Sequence, residues 1–279
     1  MSSSRSPMHA AVLGSPIGHS LSPVLHRAAY AELGLTDWSY EAIECSSADL
    51  AAQLDGVRSD ESFAGYSLTM PLKITAVRLV DELEPLARRV GAVNTVVRRN
   101  GGLAGFNTDV AGMVSALHEA GIASVAAPVV LGGGGSAQAA LAALSVLGAE
   151  TVRVLLRNPG KADVLRTVAA EVGVALEVLP WSRPEDTDLI VSTVPSGAAD
   201  PLAELLDDLA WPGAAPLFDI LYSPWPTRLA SVALAAGVPV VSGLDLLAAQ
   251  AVGQVELMTG QLIDVEILRD AGKRALGLD

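Results

Sequence analysis

Cysteine is almost missing from this chain of 279 residues; Cys45 stands alone, so no internal disulfide can form. Positive charge is scarce as well, with 18 basic against 31 acidic side chains and a formal net charge of −13. That balance argues against a nucleic-acid partner, which needs a basic surface to displace counterions from phosphates. An anionic ligand must therefore find a local positive pocket. Residues 1–10 lack the apolar core of a secretory signal, and with the single thiol this reads as a cytoplasmic protein. Charge is absent from 120–149, a stretch longer than the ~20 residues that cross a bilayer. Pro128 and the run Gly132-Gly133-Gly134-Gly135 break it, so no membrane association is expected. Nor is a metal site: His9, His19, His26 and His118 share no ligand spacing with a cysteine or carboxylate. Ser136 follows glycines but lacks the flanking pattern of a hydrolase elbow, and Cys45 reads as a small buried side chain.

What is present is an apolar fraction of 51%, enough to bury the cores of two domains. After a Ser-rich tail at 1–7, expected to be disordered, short strands and helices alternate. Strands are predicted at 10–13, 38–43 and 63–68, and helices at 22–33, 48–54 and from Thr69-Met70-Pro71. Residues 93–97 and 103–106 flank Asn100-Gly101, a hairpin signal because both residues tolerate positive φ. Val110, Met113, Val114 and Leu117 then share one face of a helix over 109–120, the crossover to a second domain. From there six strand-like runs, at 129–131, 152–156, 175–179, 189–194, 217–221 and 238–241, are mostly separated by helical patterns. Such alternation implies a parallel sheet covered on both faces. Two helices, at 244–258 and 265–276, end the chain.

The run Gly132-Gly133-Gly134-Gly135-Ser136-Ala137 satisfies the dinucleotide pattern, with a strand before it and an apolar helix after it. Glycines let backbone approach a pyrophosphate, and the helix start offers unbonded amides and partial positive charge. The next strand ends in Leu156-Arg157-Asn158, with Lys161 following. A carboxylate there would grip a ribose hydroxyl; cations instead favour the 2′-phosphate of NADP. Read alone, Arg157 would be a solvated loop cation.

Four polar segments of the first domain follow strands or open helices: His19-Ser20-Leu21-Ser22-Pro23, Thr69-Met70-Pro71-Leu72-Lys73, Gly91-Ala92-Val93-Asn94-Thr95 and Gly105-Phe106-Asn107-Thr108-Asp109. Loops at the carboxyl ends of strands converge on ligands. Each also has a plainer reading. Ser22, Thr69 and Thr108 or Asp109 suit helix N-caps, and Asn94 suits a loop whose backbone needs partners. Lys73 fits such a reading less well, because a first helical turn disfavours a cation. With a carboxylate such as Asp109 nearby, a lysine held in this balance can donate or accept a proton.

Together these segments resemble the shikimate dehydrogenase family over nearly the whole chain, from Gly14 to Gly260. The likeness rests on Gly14-Ser15-Pro16-Ile17-Gly18-His19-Ser20-Leu21-Ser22-Pro23, on the Thr69, Asn94 and Asn107-Thr108-Asp109 segments, on the glycine run, and on residues 243–250. The resemblance implies an N-terminal α/β substrate domain, a Rossmann-type doubly wound NADP domain, and C-terminal helices returning to the first. Its implied boundaries are 1–110 with 246–279, and 111–245. The implied reaction is NADPH-dependent reduction of 3-dehydroshikimate to shikimate, with Lys73 and Asp109 as the catalytic pair. Ser20, Ser22 and Tyr222 would attend the substrate carboxylate, and Thr69, Asn94, Asp109 and Gln250 the ring hydroxyls. The cofactor would meet Gly132, Gly133, Gly134, Gly135, Ser136, Ala137, Arg157, Asn158, Lys161, Thr193, Gly243 and Leu246. Ser67, the run Ser192-Thr193-Val194 and Leu246 depart from the commoner family pattern and put fine positioning in question. A quinate or mixed dehydrogenase, and a metabolite sensor on the same fold, are the alternatives. Ser20 with Ser22 mildly favours shikimate, and a sensor needs neither Lys73 nor Asp109. A homodimer is left open.

Overall fold

The computed structural model describes residues 7–278; the tail expected to be disordered, apart from Pro7, lies outside the described residues. The chain divides into two compact units, Met1–Thr108 with Leu247–Asp279, and Asp109–Leu246.

The first unit begins β1 (Met8–Gly14), α1 (Ser22–Glu32), β2 (Trp38–Glu44), α2 (Leu50–Val57), β3 (Phe63–Leu68) and α3 (Leu72–Thr75). It continues β4 (Glu82–Leu83), α4 (Pro85–Val90), β5 (Thr95–Arg99) and β6 (Gly102–Phe106). The sheet order is β2-β1-β3-β5-β6-β4, with β1 parallel to β2 and β3, and β5 antiparallel to β3 and β6. Asn100 and Gly101 turn the β5–β6 hairpin at φ 51° and 80°, as their tolerance of the left-handed region predicts. β4 and α4 were not foreseen. A strand of two residues carries no periodicity, and α4 starts on a Glu84 cap whose Oε2 accepts from the Ala87 N–H at 2.8 Å. Sequence statistics favour shorter side chains for that role.

The second unit runs α5 (Asp109–Glu119), β7 (Pro128–Leu131), α6 (Gly135–Val146), β8 (Thr151–Leu156), α7 (Ala162–Val172) and β9 (Ala175–Pro180). Then come β10 (Leu189–Ser192), α8 (Asp200–Leu209), β11 (Leu217–Asp219), α9 (Arg228–Ala235) and β12 (Val240–Val241). Its sheet is wholly parallel, ordered β12-β11-β10-β7-β8-β9. The chain steps outward from β7 to β9, then returns to lay β10 on the other side of β7. The strand order reverses between β7 and β10, the place where open α/β sheets receive ligands. The charge-free stretch 120–149 is thereby explained: β7, the glycine turn and α6, whose residues 137, 139–144 are buried, have no use for charge. Among the described residues no helix is long and apolar enough to cross a membrane.

The final helices are α10 (Gly243–Thr259) and α11 (Val265–Leu276). Within the first unit, glycines let α10 lie close to its neighbours. A Cβ on Gly65 of β3 would stand 2.8 Å from Met258 Cγ, and one on Gly253 3.1 Å from Thr108 Cγ2. That close approach carries Gln250 and Gln254 into the buried interior beside β3 and β5.

Candidate functional site

In the first unit, the loops after β1 and β3 are laced together. Thr69 N–H donates to Leu13 O at 2.9 Å and Ser15 N–H to Met70 O at 3.0 Å. A Cβ on Gly14 would strike Thr69 Cγ2 at 2.4 Å, so glycine is what permits the contact. Two expected caps prove otherwise. α1 has Leu21 at its cap position and Ser22 inside the helix, where Ser20 Oγ accepts from the Ser22 N–H at 3.3 Å. α3 starts behind Pro71, and Thr69 supplies its backbone carbonyl, not its hydroxyl, to the Leu72 N–H at 2.8 Å. In α1 the proline supplies a fixed φ in the first turn, whereas in α3 Pro71 is itself the cap residue. The argument from the helix dipole against Lys73 also needs correction. α3 has four residues, too few aligned peptides for a sizeable macrodipole, and Lys73 belongs as much to its last turn as to its first. What locates Lys73 is its backbone: its carbonyl accepts from the Val93 N–H at 2.8 Å, one residue before Asn94.

Asn94 is buried and central. Its Oδ1 accepts from the Thr108 N–H at 2.8 Å and from the Thr95 hydroxyl at 2.9 Å. Its Nδ2 donates to Thr108 Oγ1 at 2.9 Å and approaches Gln250 Oε1 at 3.4 Å. Gln250 in turn donates from Nε2 to Leu247 O at 2.8 Å. The plainer reading of Asn94, a partner for loop backbone, is thus true of its oxygen, while its nitrogen joins Thr108 and Gln250. The structure brings together Asn94 and Gln250, and separately Ser20 and Ser22. Thr95 and Thr108 lie in the polar segments already singled out, whereas Gln254 was missed; its place one helical turn after Gln250 is the signal that could have shown it.

In the second unit, Gly132 has φ 113°, and a Cβ there would meet Thr193 Oγ1 at 2.7 Å. The Thr193 hydroxyl donates to Leu131 O at 2.8 Å, which ties the end of β10 to the glycine turn. A Cβ on Gly133 would lie 2.9 Å from Leu156 Cδ2 and 3.1 Å from Lys161 Cβ, so the Lys161 stem packs on the turn. Gly134 occupies the cap position of α6, where no side chain caps the helix, and open space surrounds the point where its Cβ would project. Asn158 Oδ1 accepts from the Gly160 N–H at 2.9 Å and shapes the loop between Arg157 and Lys161. The Arg157 guanidinium, on an exposed residue, lies 5.6 Å from the ring centroid of Trp181, within cation–π range. Trp181 was missed because its partner is distant in sequence. Asp109 is the buried first residue of α5. Tyr222 follows β11 in a segment anchored by Asp219, whose carboxylate accepts from the Thr227 hydroxyl at 2.7 Å and the Leu221 N–H at 3.3 Å. Burial pushes the Asp219 carboxyl above the usual range, and those two donors oppose the shift. Leu246 is buried, and Gly243 sits where a Cβ would fall 2.1 Å from Ile220 O.

Known proteins match this arrangement along their length. Residues 12–96 match the family model described as the shikimate dehydrogenase substrate binding domain. A shikimate dehydrogenase (NADP(+)) of Thermus thermophilus is 40% identical over 268 residues, covering 96% of this chain and 98% of that protein. The chain belongs to the shikimate dehydrogenase family. Among solved structures, shikimate dehydrogenase from Mycobacterium tuberculosis superposes with a TM-score of 0.84 at 40% identity, over 95% of this chain and 98% of that one. The Thermus thermophilus enzyme in complex with NADP(H) and shikimate gives 0.83 at 38% identity, over 96% and 99%. As a shikimate dehydrogenase family member, the protein has the expected α/β fold, with its substrate-type sheet and its doubly wound sheet. The second unit also fits the dinucleotide such a protein would hold. Gly134 leaves open space before an uncapped helix start, and Arg157 and Lys161 stand at the end of the adjacent strand.

Proposed function

We infer that this chain is an NADP-dependent shikimate dehydrogenase, reducing 3-dehydroshikimate to shikimate reversibly. The observation that carries the reading is likeness over almost the whole chain to a protein crystallised with both NADP(H) and shikimate. Neither a quinate-specific enzyme nor a sensor is favoured by the relatives. Residues 1–110 with 246–279 act as the substrate-binding and catalytic domain, and 111–245 as the NADP domain; the family match at 12–96 supports the first assignment.

When bound, NADPH supplies the hydride. The remaining work falls to side chains. Lys73 donates a proton from Nζ to the substrate oxygen as negative charge develops there, with Asp109 holding the ammonium in place. Ser20 and Ser22 bind the substrate carboxylate, with Tyr222 beside it, and Thr69, Asn94, Asp109 and Gln250 bind ring hydroxyls. Ser22 is suited to this because capping does not occupy its hydroxyl. The turn of Gly132, Gly133, Gly134 and Gly135, with Ser136 and Ala137, would receive the pyrophosphate, the Gly132 N–H itself being given to Leu155 O at 3.2 Å, and Arg157, Asn158 and Lys161 would hold the 2′-phosphate. Thr193, Gly243 and Leu246 would border the nicotinamide end. A cytoplasmic location belongs to the same proposal, supported by the single buried thiol of Cys45. A homodimer is the assembly to check by light scattering. The specificity test compares oxidation of shikimate and of quinate with NADP+; turnover confined to quinate would overturn the substrate assigned.

A further inference from the structure

A chain of buried hydrogen bonds runs behind Asn94, and its direction is fixed by two backbone groups. The carbonyl of Asn94 can accept but not donate, so the Gln254 atom 3.2 Å from it is Nε2. The N–H of Thr108 can donate but not accept, so the Asn94 atom facing it is Oδ1. Every hydroxyl between and beyond these points then has one orientation available. Thr95 Oγ1 accepts from Gln254 Nε2 at 3.2 Å and donates to Asn94 Oδ1 at 2.9 Å. Ser67 Oγ donates to Gln254 Oε1 at 2.7 Å and accepts from the Tyr40 hydroxyl at 2.6 Å. Ser67 and Thr95 are register partners across β3 and β5, which puts both under Gln254 on one face of the sheet. His26 Nε2, 3.2 Å from the same Gln254 oxygen, must be the protonated nitrogen of its ring. All of these residues are buried.

We propose that Gln254 and Thr95 are positioning residues that lock the Asn94 carboxamide, holding Oδ1 on the Thr108 N–H and Nδ2 toward Thr108 Oγ1 and Gln250 Oε1. The idea rests on the role assigned to Asn94 in the function above. With Oδ1 taken up by two donors, the amide nitrogen stays on the side of Thr108 Oγ1 and of Gln250, the neighbouring residue assigned to the ring hydroxyls. The lock also gives Ser67 a function: its hydroxyl orients Gln254.

The test compares Thr95→Val, which removes the hydroxyl at nearly constant volume, with Thr95→Ser, which keeps it, and with Gln254→Met. Each is assayed for KM with shikimate and with NADP+, and exchange of the Asn94 side-chain amide is followed by nitrogen-15 NMR. Thr95→Val and Gln254→Met should raise the KM for shikimate tenfold or more and leave that for NADP+ within about twofold. Amide exchange at Asn94 should quicken at least tenfold in both, and Thr95→Ser should restore both readouts. Should Gln254→Met fail to fold, the Thr95 pair decides. Unchanged exchange at Asn94 in Thr95→Val, or equal rises in both KM values, would overturn the lock. A native enzyme that does not oxidise shikimate would instead overturn the function, because the exchange readout does not depend on it.

Discussion

Replacing Lys73 with alanine should lower turnover about a hundredfold or more, the usual worth of a positioned acid, while leaving the KM for NADPH near its native value. Steady-state assays of the variant check this, and near-normal turnover would remove Lys73 from the role. The sequence singles out Lys73, but one of the reasons does not hold in the structure. The α3 turn is too short for a dipole to matter, and a backbone bond to Val93 is what sets the lysine beside Asn94. Arg157 presents the reverse case, in which its place after β8 suggested the role proposed for it and the partner, Trp181, was invisible. Arg157→Ala should raise the KM for NADPH roughly tenfold or more, as expected for loss of a charged phosphate contact, and leave that for shikimate little changed. Titration of both ligands against initial rates tests it.

At the scale of elements, the second sheet was readable because strands buried on both faces are continuous apolar runs, and helices between them fix parallel order. β4 and α4 were unreadable because they exist through their neighbours: Leu83 pairs with Gly105 across β4 and β6, and Glu84 N–H donates to Gly105 O at 3.0 Å. The glycine turn was identified from its pattern, and the geometry now distinguishes its members. Gly132 holds a left-handed φ against Thr193, whereas Gly134 faces open space. Gly132→Ala should therefore cost about 1 to 3 kcal/mol of stability. Gly134→Ala should leave folding largely intact and weaken NADPH binding where a methyl group meets the cofactor. Thermal melts with and without NADPH would separate the two; equal destabilisation by both substitutions would contradict the distinction.

For the whole molecule, a net charge of −13 disfavours polyanions, so the anionic ligands proposed would depend on a few local cations and amides. The sequence carried that balance but concealed its acid sensitivity. His26, fully enclosed against the rings of Tyr30 and Tyr40 and bonded to Gln254, has its pKa lowered by burial from 6.5 to about 4. The unfolded chain takes up that proton near pH 6.5 and the folded chain only near 4, so this contribution to stability is complete above pH 6.5 and is lost as pH falls from there through 4. The loss is on the order of 3 kcal/mol, and His26→Phe should flatten that part of the denaturation profile. An unchanged slope in the variant would place the acid sensitivity elsewhere. The central claim remains the reaction itself. Purified protein mixed with NADPH and 3-dehydroshikimate should consume NADPH, followed by its absorbance, and form shikimate in equal amount; no consumption with that pair would contradict the account.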